Sequence, residues 1–353
     1  MKRDELDFEL PEELIARRPA AERAASRLLV VDPSAATWEH RGFTDFTRFL
    51  KEGDLLVLND TKVVPARLSL AKTTGGMVEG LFLEEAEDGL ARCMLSGGRL
   101  RPGVELVHRE ESILRLEEKG ERGSWTVRNL TDGSWFALLD RCGSTPLPPY
   151  IRRLRQADDL ALDSAEDRER YQTVWAKSSG SVAAPTASLH LDDAVLAELE
   201  HTGVELGKLT LHVGQGTFLP VESEVVEEHP MHAERFSVDG ALETQIANTR
   251  ARGGRVFAAG TTVCRALEAW ALGHRGSTDL MILPGFEFQV VDGLLTNFHT
   301  PQSTLLALVA GLAQHQGAVA GLGFVKEVYA SAVAERYRFF SYGDASLWLP
   351  ACC

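Results

Sequence analysis

Apolar positions along the chain follow two rhythms. Between about residues 68 and 140 they alternate with polar ones in short runs, "MVEGLFLEE", "LARCML", "VELV", "SILRLEE" and "SWTVRNL", divided by glycine-rich turns such as "KGERG". A period of two turns one face of each run to a core and the other to water, so these segments predict a small antiparallel barrel or sandwich. "STPLPPYIRR" at 144 to 153 reads as a stiff exit from it, since proline fixes φ and cannot donate to a ladder. Elsewhere the pattern changes. "DLLVL" at 54 to 58 and "TDLMILPG" at 278 to 285 predict buried strands, and "KLTLHV" at 208 to 213 and "GRVFAAG" at 254 to 260 short apolar strands. Between and after them, "LDDAVLAELEHTG", "ALETQIANTRARG", "TTVCRALEAWALG", "STLLALVAGLAQH" and "FVKEVYASAVAERY" space apolar residues as helices do. The expected fold class is α/β. A mixed α/β domain is built from both chain ends, residues 1–66 and 151–353, with a small antiparallel β-barrel-like domain, residues 67–150, inserted.

Composition adds limits. The chain has 353 residues, 44% hydrophobic and 25% charged, enough for a sizeable core in two domains. Its most apolar segment, "LLALVAGLA" at 305 to 313, is too short to span a bilayer, and the first residues lack a signal-peptide pattern, so a cytoplasmic protein with no membrane contact is expected. Cys93, Cys142, Cys264, Cys352 and Cys353 form no CxxC pair, which fits a reducing compartment. A net charge of −14 argues against nonspecific coating of nucleic acid, yet it leaves room for a local basic surface at Arg152, Arg153 and Arg155, with Arg99 and Arg101 as a second small cluster.

The candidate chemistry sits on loops at strand ends and helix starts. In "GSVAAPTASLH", Pro185 keeps the chain out of a helix, and Thr186, Ser188 and His190 follow just before an Asp192 cap; a capping turn and a ligand loop both fit. "HVGQGTF" holds Gly214 and Gly216 but no third glycine, so a dinucleotide fingerprint fails and a close backbone approach remains. "AAGTTVCRALEAW" places Thr261 and Thr262 at a helix start, as caps or as an anion or ribose site. His229, His232 and Glu234 in "EEHPMHAERF" invite a metal reading, but Pro230 breaks the register and no further pair completes a tetrahedral set; no metal is expected. "LLTNFHTPQSTLL" gathers Asn297, Phe298, His299 and Ser303, suited to holding a heteroaromatic base, and "YRFFSYGDA" adds Arg338 and Asp344.

Taken with "DFELPEELIARRP", "GDLLVLNDTKVVPARL", "PLPPYIRR" and "YQTVWA", these segments resemble, in order and spacing, the S-adenosylmethionine:tRNA ribosyltransferase-isomerase family of queuosine biosynthesis. The resemblance covers nearly the whole chain and is weakest in the β region. It implies that the ribosyl group of S-adenosylmethionine is transferred and isomerised onto 7-aminomethyl-7-deazaguanine at the wobble position of tRNA, giving epoxyqueuosine, adenine and methionine. S-adenosylmethionine is then a consumed substrate, and no cofactor or metal is implied. The partners are that tRNA and S-adenosylmethionine, and a monomer is expected.

By the same resemblance the proton-transfer candidates are His190, His212, His232, His299, Glu234 and Asp344, among which the sequence does not choose. Substrate contacts are expected from Asn59, Asp60 and Arg67 in the "NDTKVVPAR" turn, from Tyr171 and Gln172, and from Pro185 and Thr186. Gly214, Gly216 and Thr217, then Thr261, Thr262 and Arg265, continue the set, which Asn297, Phe298, Ser303, Arg338 and Tyr342 close. Arg152, Arg153 and Arg155 are expected on tRNA phosphates. This chain departs from the family at Lys62, usually Arg; at Ser188, usually Gly; at Leu191, usually Phe; at Thr300, usually Leu; and at Trp175, Phe236 and Phe286, where the family tends to Tyr. Two rivals are a methyltransferase using the same donor, against which the missing glycine fingerprint counts, and a noncatalytic tRNA-binding module, against which the acidic charge counts.

Overall fold

The computed structural model describes residues 1–351 apart from 122, 215 and 217–219. The expected contact Thr217 and the pair Cys352 and Cys353 therefore lie outside the described residues. The chain divides into two compact units, one of Met1–Thr61, Gln172–Ser178 and Pro185–Cys353, the other of Lys62–Tyr171 and Ser179–Ala184. The β-rich unit thus runs on to Tyr171 rather than ending at 150, because the helices Pro149–Ala157 and Ala165–Arg170 belong to it.

That unit is a closed antiparallel barrel. Arg67–Lys72, Met77–Glu85, Leu90–Ser96, Ser124–Asn129, Glu111–Lys119 and Glu105–His108 pair in that order, and the last pairs back with the first. Closure removes the exposed edges that an open sheet would leave. Alternate residues fill the interior, among them Leu68, Leu70, Val78, Phe82, Cys93, Trp125 and Val127, and the helix Trp135–Cys142 adds Trp135 and Leu139 to the same core.

The α/β unit is built on a sheet of nine strands in the order Ser277–Thr278, Glu234–Ser237, Glu205–Leu211, Leu55–Asn59, Val256–Ala259, Gly293–Asn297, Ala345–Trp348, Arg27–Asp32 and Thr37–Gly42. Leu55–Asn59, Val256–Ala259 and Gly293–Asn297 are buried at every position, as strands covered on both faces must be. Helices Asp193–His201, Gly240–Ala251, Thr261–Ala271, Thr304–His315 and Gly321–Ala334 form where the apolar spacing predicts them. "TDLMILPG" departs from expectation: only Ser277–Thr278 is paired as a strand. Beyond it side chains take over the backbone's hydrogen bonds, with Leu280 N–H donating to Thr278 Oγ1 and Leu280 C=O accepting from Arg265 Nε. No helix among the described residues is long and apolar enough to cross a membrane.

Candidate active site

Glu205–Leu211, Leu55–Asn59, Val256–Ala259 and Gly293–Asn297 are neighbours and run parallel, so their C-terminal ends share one edge of the sheet. Open α/β sheets bind ligands at such an edge, where the loops are free of ladder pairing. The loops leaving it carry Asp60, His212, Thr261 and His299. Ala345–Trp348 runs antiparallel to Gly293–Asn297 with Ala345 opposite Asn297, and Arg27–Asp32 pairs parallel with it, Leu28 opposite Ala345. Both of these strands start where the others end. That brings Asp344 and Ser26 to the same edge.

"PTASLH" is a short 3-10 turn, Thr186–His190, rather than an open loop. It carries His190 to a buried position against the Phe43 ring, with Nδ1 2.6 Å from Ser26 Oγ and Nε2 3.1 Å from Asn297 Nδ2. Burial, reinforced by the positive charges of Arg338 and Arg23, pushes the imidazole down to about 3, so it is neutral near pH 7. His299 is also pushed to about 3 by burial. Its Nε2 meets Thr296 Oγ1 at 3.0 Å, and no hydrogen bond reaches its Nδ1 among the described residues. His212 Nδ1 meets Thr61 Oγ1 at 2.9 Å; burial and Arg235 lower its pKa against the pull of Asp60. Among the described residues, His212 and His299 therefore each keep one ring nitrogen for a reacting proton. His190 has both engaged.

The carboxylates act differently. Glu234 forms a buried pair with Arg265, Oε2 to Nη1 2.7 Å, and its Oε1 accepts from Gly214 N–H at 2.9 Å. It anchors the glycine loop to the helix, a positioning task rather than proton transfer. Among the described residues the Arg265 Nη2 is buried without a partner. Asp344 accepts from the backbone N–H of Arg27 and of Arg338, and from the Arg338 guanidinium at 3.4 Å, so it too holds neighbours in place. A Cβ at Gly216 would stand 2.3 Å from the ring of the exposed His232, so any side chain there would force that ring aside.

Two helix starts that look alike in sequence differ. Ser303 caps Thr304–His315, accepting from Leu306 N–H, as a plain cap does. Thr261–Ala271 begins at Gly260, φ 111°, with no side-chain cap, leaving its first N–H groups for something else, beside the buried Thr261 and Thr262. Asn59 is fully used at the strand end, giving Nδ2 to Leu211 C=O and receiving Thr61 and Leu211 N–H. Asp60 receives Thr210 Oγ1 at 2.6 Å and Ser178 Oγ at 3.3 Å. The Phe298 ring is fully buried among Tyr329, Tyr337 and Phe339, which gives it to the core instead of a stacked base. Pro185 and Tyr342 are buried, while Thr186, Gln172 and Arg338 are half-buried. Ser188 is accommodated: its hydroxyl donates to Ala259 C=O at 3.2 Å, fully buried.

In the barrel unit, Arg155 is buried in a two-pronged pair with Asp167, 2.6 and 2.8 Å, so it is a structural arginine and not a phosphate contact. The helix turns its neighbours outward: Arg153 is exposed and Arg152 lies 3.7 Å from Glu79. Arg67, half-buried, has its pKa lowered by burial and by Arg152, and Tyr171 is fully buried at the end of Ala165–Arg170. Among the described residues no three His, Cys, Asp or Glu side chains are grouped to hold a metal ion.

The family described as "Queuosine biosynthesis protein" matches residues 3–348. The chain belongs to that family. It is 49% identical over 360 residues to the S-adenosylmethionine:tRNA ribosyltransferase-isomerase of Acidithiobacillus ferrooxidans, covering 99% of both. A protein of the same name from Anaeromyxobacter is 48% identical, with 98% of this chain and 99% of that one covered. The crystal structure of an S-adenosylmethionine tRNA ribosyltransferase from Thermotoga maritima is 34% identical, covers 98% of this chain and 100% of its own, and superposes with a TM-score of 0.53. These relatives lend no support to the methyltransferase alternative. Within this queuosine-family site, sequence reasoning missed Ser26: a lone serine before a strand carries no signal until the fold sets it against His190.

Proposed function

We propose that this chain is an S-adenosylmethionine:tRNA ribosyltransferase-isomerase, and that the strand-end edge of its nine-stranded sheet is where the reaction occurs. The observation that carries the reading is the convergence of loops from four parallel strands, each bearing one of the family's motifs, on one edge that also holds neutral buried histidines and an uncapped helix start. The sulfonium of S-adenosylmethionine acidifies its ribose C5′ proton, which a neutral imidazole can take at pH 7. His212 or His299, each with a ring nitrogen free among the described residues, serves as that base, and the imidazolium it becomes gives the proton to departing adenine. The uncapped N–H groups at Thr261 suit ribose hydroxyls or a carboxylate. The acceptor is 7-aminomethyl-7-deazaguanine at the wobble position of tRNA, whose amine attacks the unsaturated sugar as methionine leaves and the epoxide closes. Arg152 and Arg153 are the phosphate contacts, no cofactor takes part, and the enzyme works as a cytoplasmic monomer.

Two labelled donors test this. Ribose label should enter modified tRNA with adenine released in equal amount, and methyl label should stay with methionine. Methyl label in the tRNA would overturn it.

A further inference from the structure

Ser26, His190 and Asn297 form a buried hydrogen-bonded chain. Ser26 Oγ has one hydrogen, and it donates to Arg23 C=O at 3.1 Å. With that hydrogen on Arg23 C=O, the 2.6 Å contact from Ser26 Oγ to His190 Nδ1 is made by the imidazole's hydrogen and the serine oxygen accepts; the opposite tautomer needs the serine to donate to Nδ1 and the Asn297 amide to be turned. A neutral imidazole has one N–H. Nε2 is therefore bare, and the atom of Asn297 that meets it at 3.1 Å must be the donating Nδ2. This leaves the Asn297 Oδ1 pointing elsewhere, and among the described residues it is buried with no partner, on a residue only 4% exposed. Buried acceptors are seldom left unpaired.

We propose that Ser26 is a positioning residue that fixes His190 as its Nδ1–H tautomer, and that Asn297 Oδ1 thereby faces the site as the acceptor for an N–H or O–H group of the nucleoside substrate. Asn297 ends its strand beside the strand Val256–Ala259, Leu295 lying opposite Ala259, and the uncapped helix start at Thr261 follows that neighbour directly. An acceptor next to free backbone donors matches the adenine edge, with its amine and ring nitrogen, or a ribose hydroxyl, which both gives and accepts. A serine that only packed would leave the imidazole tautomer and the choice of substrate group unmoved.

The nucleoside's identity rests on the ribosyl-transfer reading, so the test has one readout free of substrate. In the ligand-free protein, nitrogen NMR of His190, assigned against a His190→Gln variant, should show Nδ1 protonated and Nε2 bare. Ser26→Ala should move the proton to Nε2 and turn the Asn297 amide. Asn297→Asp gives the same shift without touching Ser26, because a carboxylate cannot donate to Nε2. With substrate, kcat/KM for base release is compared between S-adenosylmethionine and analogues lacking the exocyclic amine, the 2′-hydroxyl or the 3′-hydroxyl. Wild type should lose roughly ten- to hundredfold on the analogue lacking the recognised group. Asn297→Leu and Ser26→Ala should shrink that ratio toward one, and Asn297→Asp should keep it. A wild-type imidazole protonated on Nε2, or equal use of all three analogues, overturns the proposal. Failure of wild type to release adenine would instead count against ribosyl transfer, with the imidazole result standing separately.

Discussion

The two edges of the nine-stranded sheet both bury polar groups, and they bury them differently. At the edge where the strands begin, Asp54 is fully buried and complete: it receives Lys51 N–H, Arg255 N–H and the Arg255 guanidinium. A hollow of about 470 Å3 lies there, lined by Lys51, Glu52, Gly53, Gly203, Glu205 and Arg252 among others. Its arginine is already bound to Gly53 C=O, Thr249 Oγ1 and Glu205. At the edge where the strands end, Asn297 Oδ1 and Arg265 Nη2 are buried without partners among the described residues, and the helix at Thr261 starts with no side-chain cap. One unpaired atom does not make a ligand site: at the strand-start edge Gln316, whose amide holds Asp292 C=O, also buries its Oε1 without a partner among the described residues. What sets the strand-end edge apart is that an acceptor, a guanidinium and uncapped helix-start N–H groups occur there together. A hollow is not a site merely by being hollow.

The contrast breaks most sharply under substitution of the free imidazoles. His299→Ala or His212→Ala should lower adenine release by roughly two to four orders of magnitude for whichever acts on the reacting proton, with little loss of stability. Wild-type rates in both variants would remove proton transfer from the strand-end edge. At the opposite edge the effect should reverse. Asp54→Ala leaves the Arg255 guanidinium without its carboxylate and should cost about 3 kcal/mol in denaturant unfolding, while adenine release per folded molecule stays near wild type.

A smaller effect distinguishes the edges through pH. His190 and His299 have folded values near 3, below the ordinary 6.5, so the unfolded chain binds protons that the folded one refuses. Their contribution to stability is present above about pH 6.5 and is lost as pH falls toward 3, at up to about 1.4 kcal/mol per pH unit for each histidine. Between pH 7.5 and 5.5 the denaturant midpoint should fall more steeply for wild type than for His190→Gln; parallel slopes would contradict the burial argument. The smallest effect belongs to the barrel unit. Replacing Arg152 and Arg153 by Ala should weaken tRNA binding and reduce its salt slope by about one for each phosphate that an arginine no longer neutralises. Arg155→Ala should instead lower the melting temperature, because it strands Asp167 in a buried position. An unchanged salt slope in the double variant would place the tRNA elsewhere.

The sequence by itself determined the periodic parts. Alternating runs became barrel strands, helical spacing became helices, and the order of motifs along the chain was enough to name the family, because those features depend on neighbours in sequence. Turn residues were also legible: Asp192 caps its helix and Gly203, φ 80°, follows it. What the sequence left open was the work each polar residue does. Arg152, Arg153 and Arg155 read alike in "YIRRLR", and only the helix phase and the position of Asp167 buried one and exposed another. His190 and His299 both precede helices, yet contacts from 107 and 164 residues away engage both nitrogens of the first, while the second is held at one nitrogen by Thr296 of its own strand end. Phe298 resembled a stacking platform until three aromatic rings from the chain's far end closed over it. Ser26 could be placed only by folding, since its partner stands 164 residues away. Which polar groups end up saturated depends largely on residues that arrive from a distance, and it is that difference which sets His190 apart from His299.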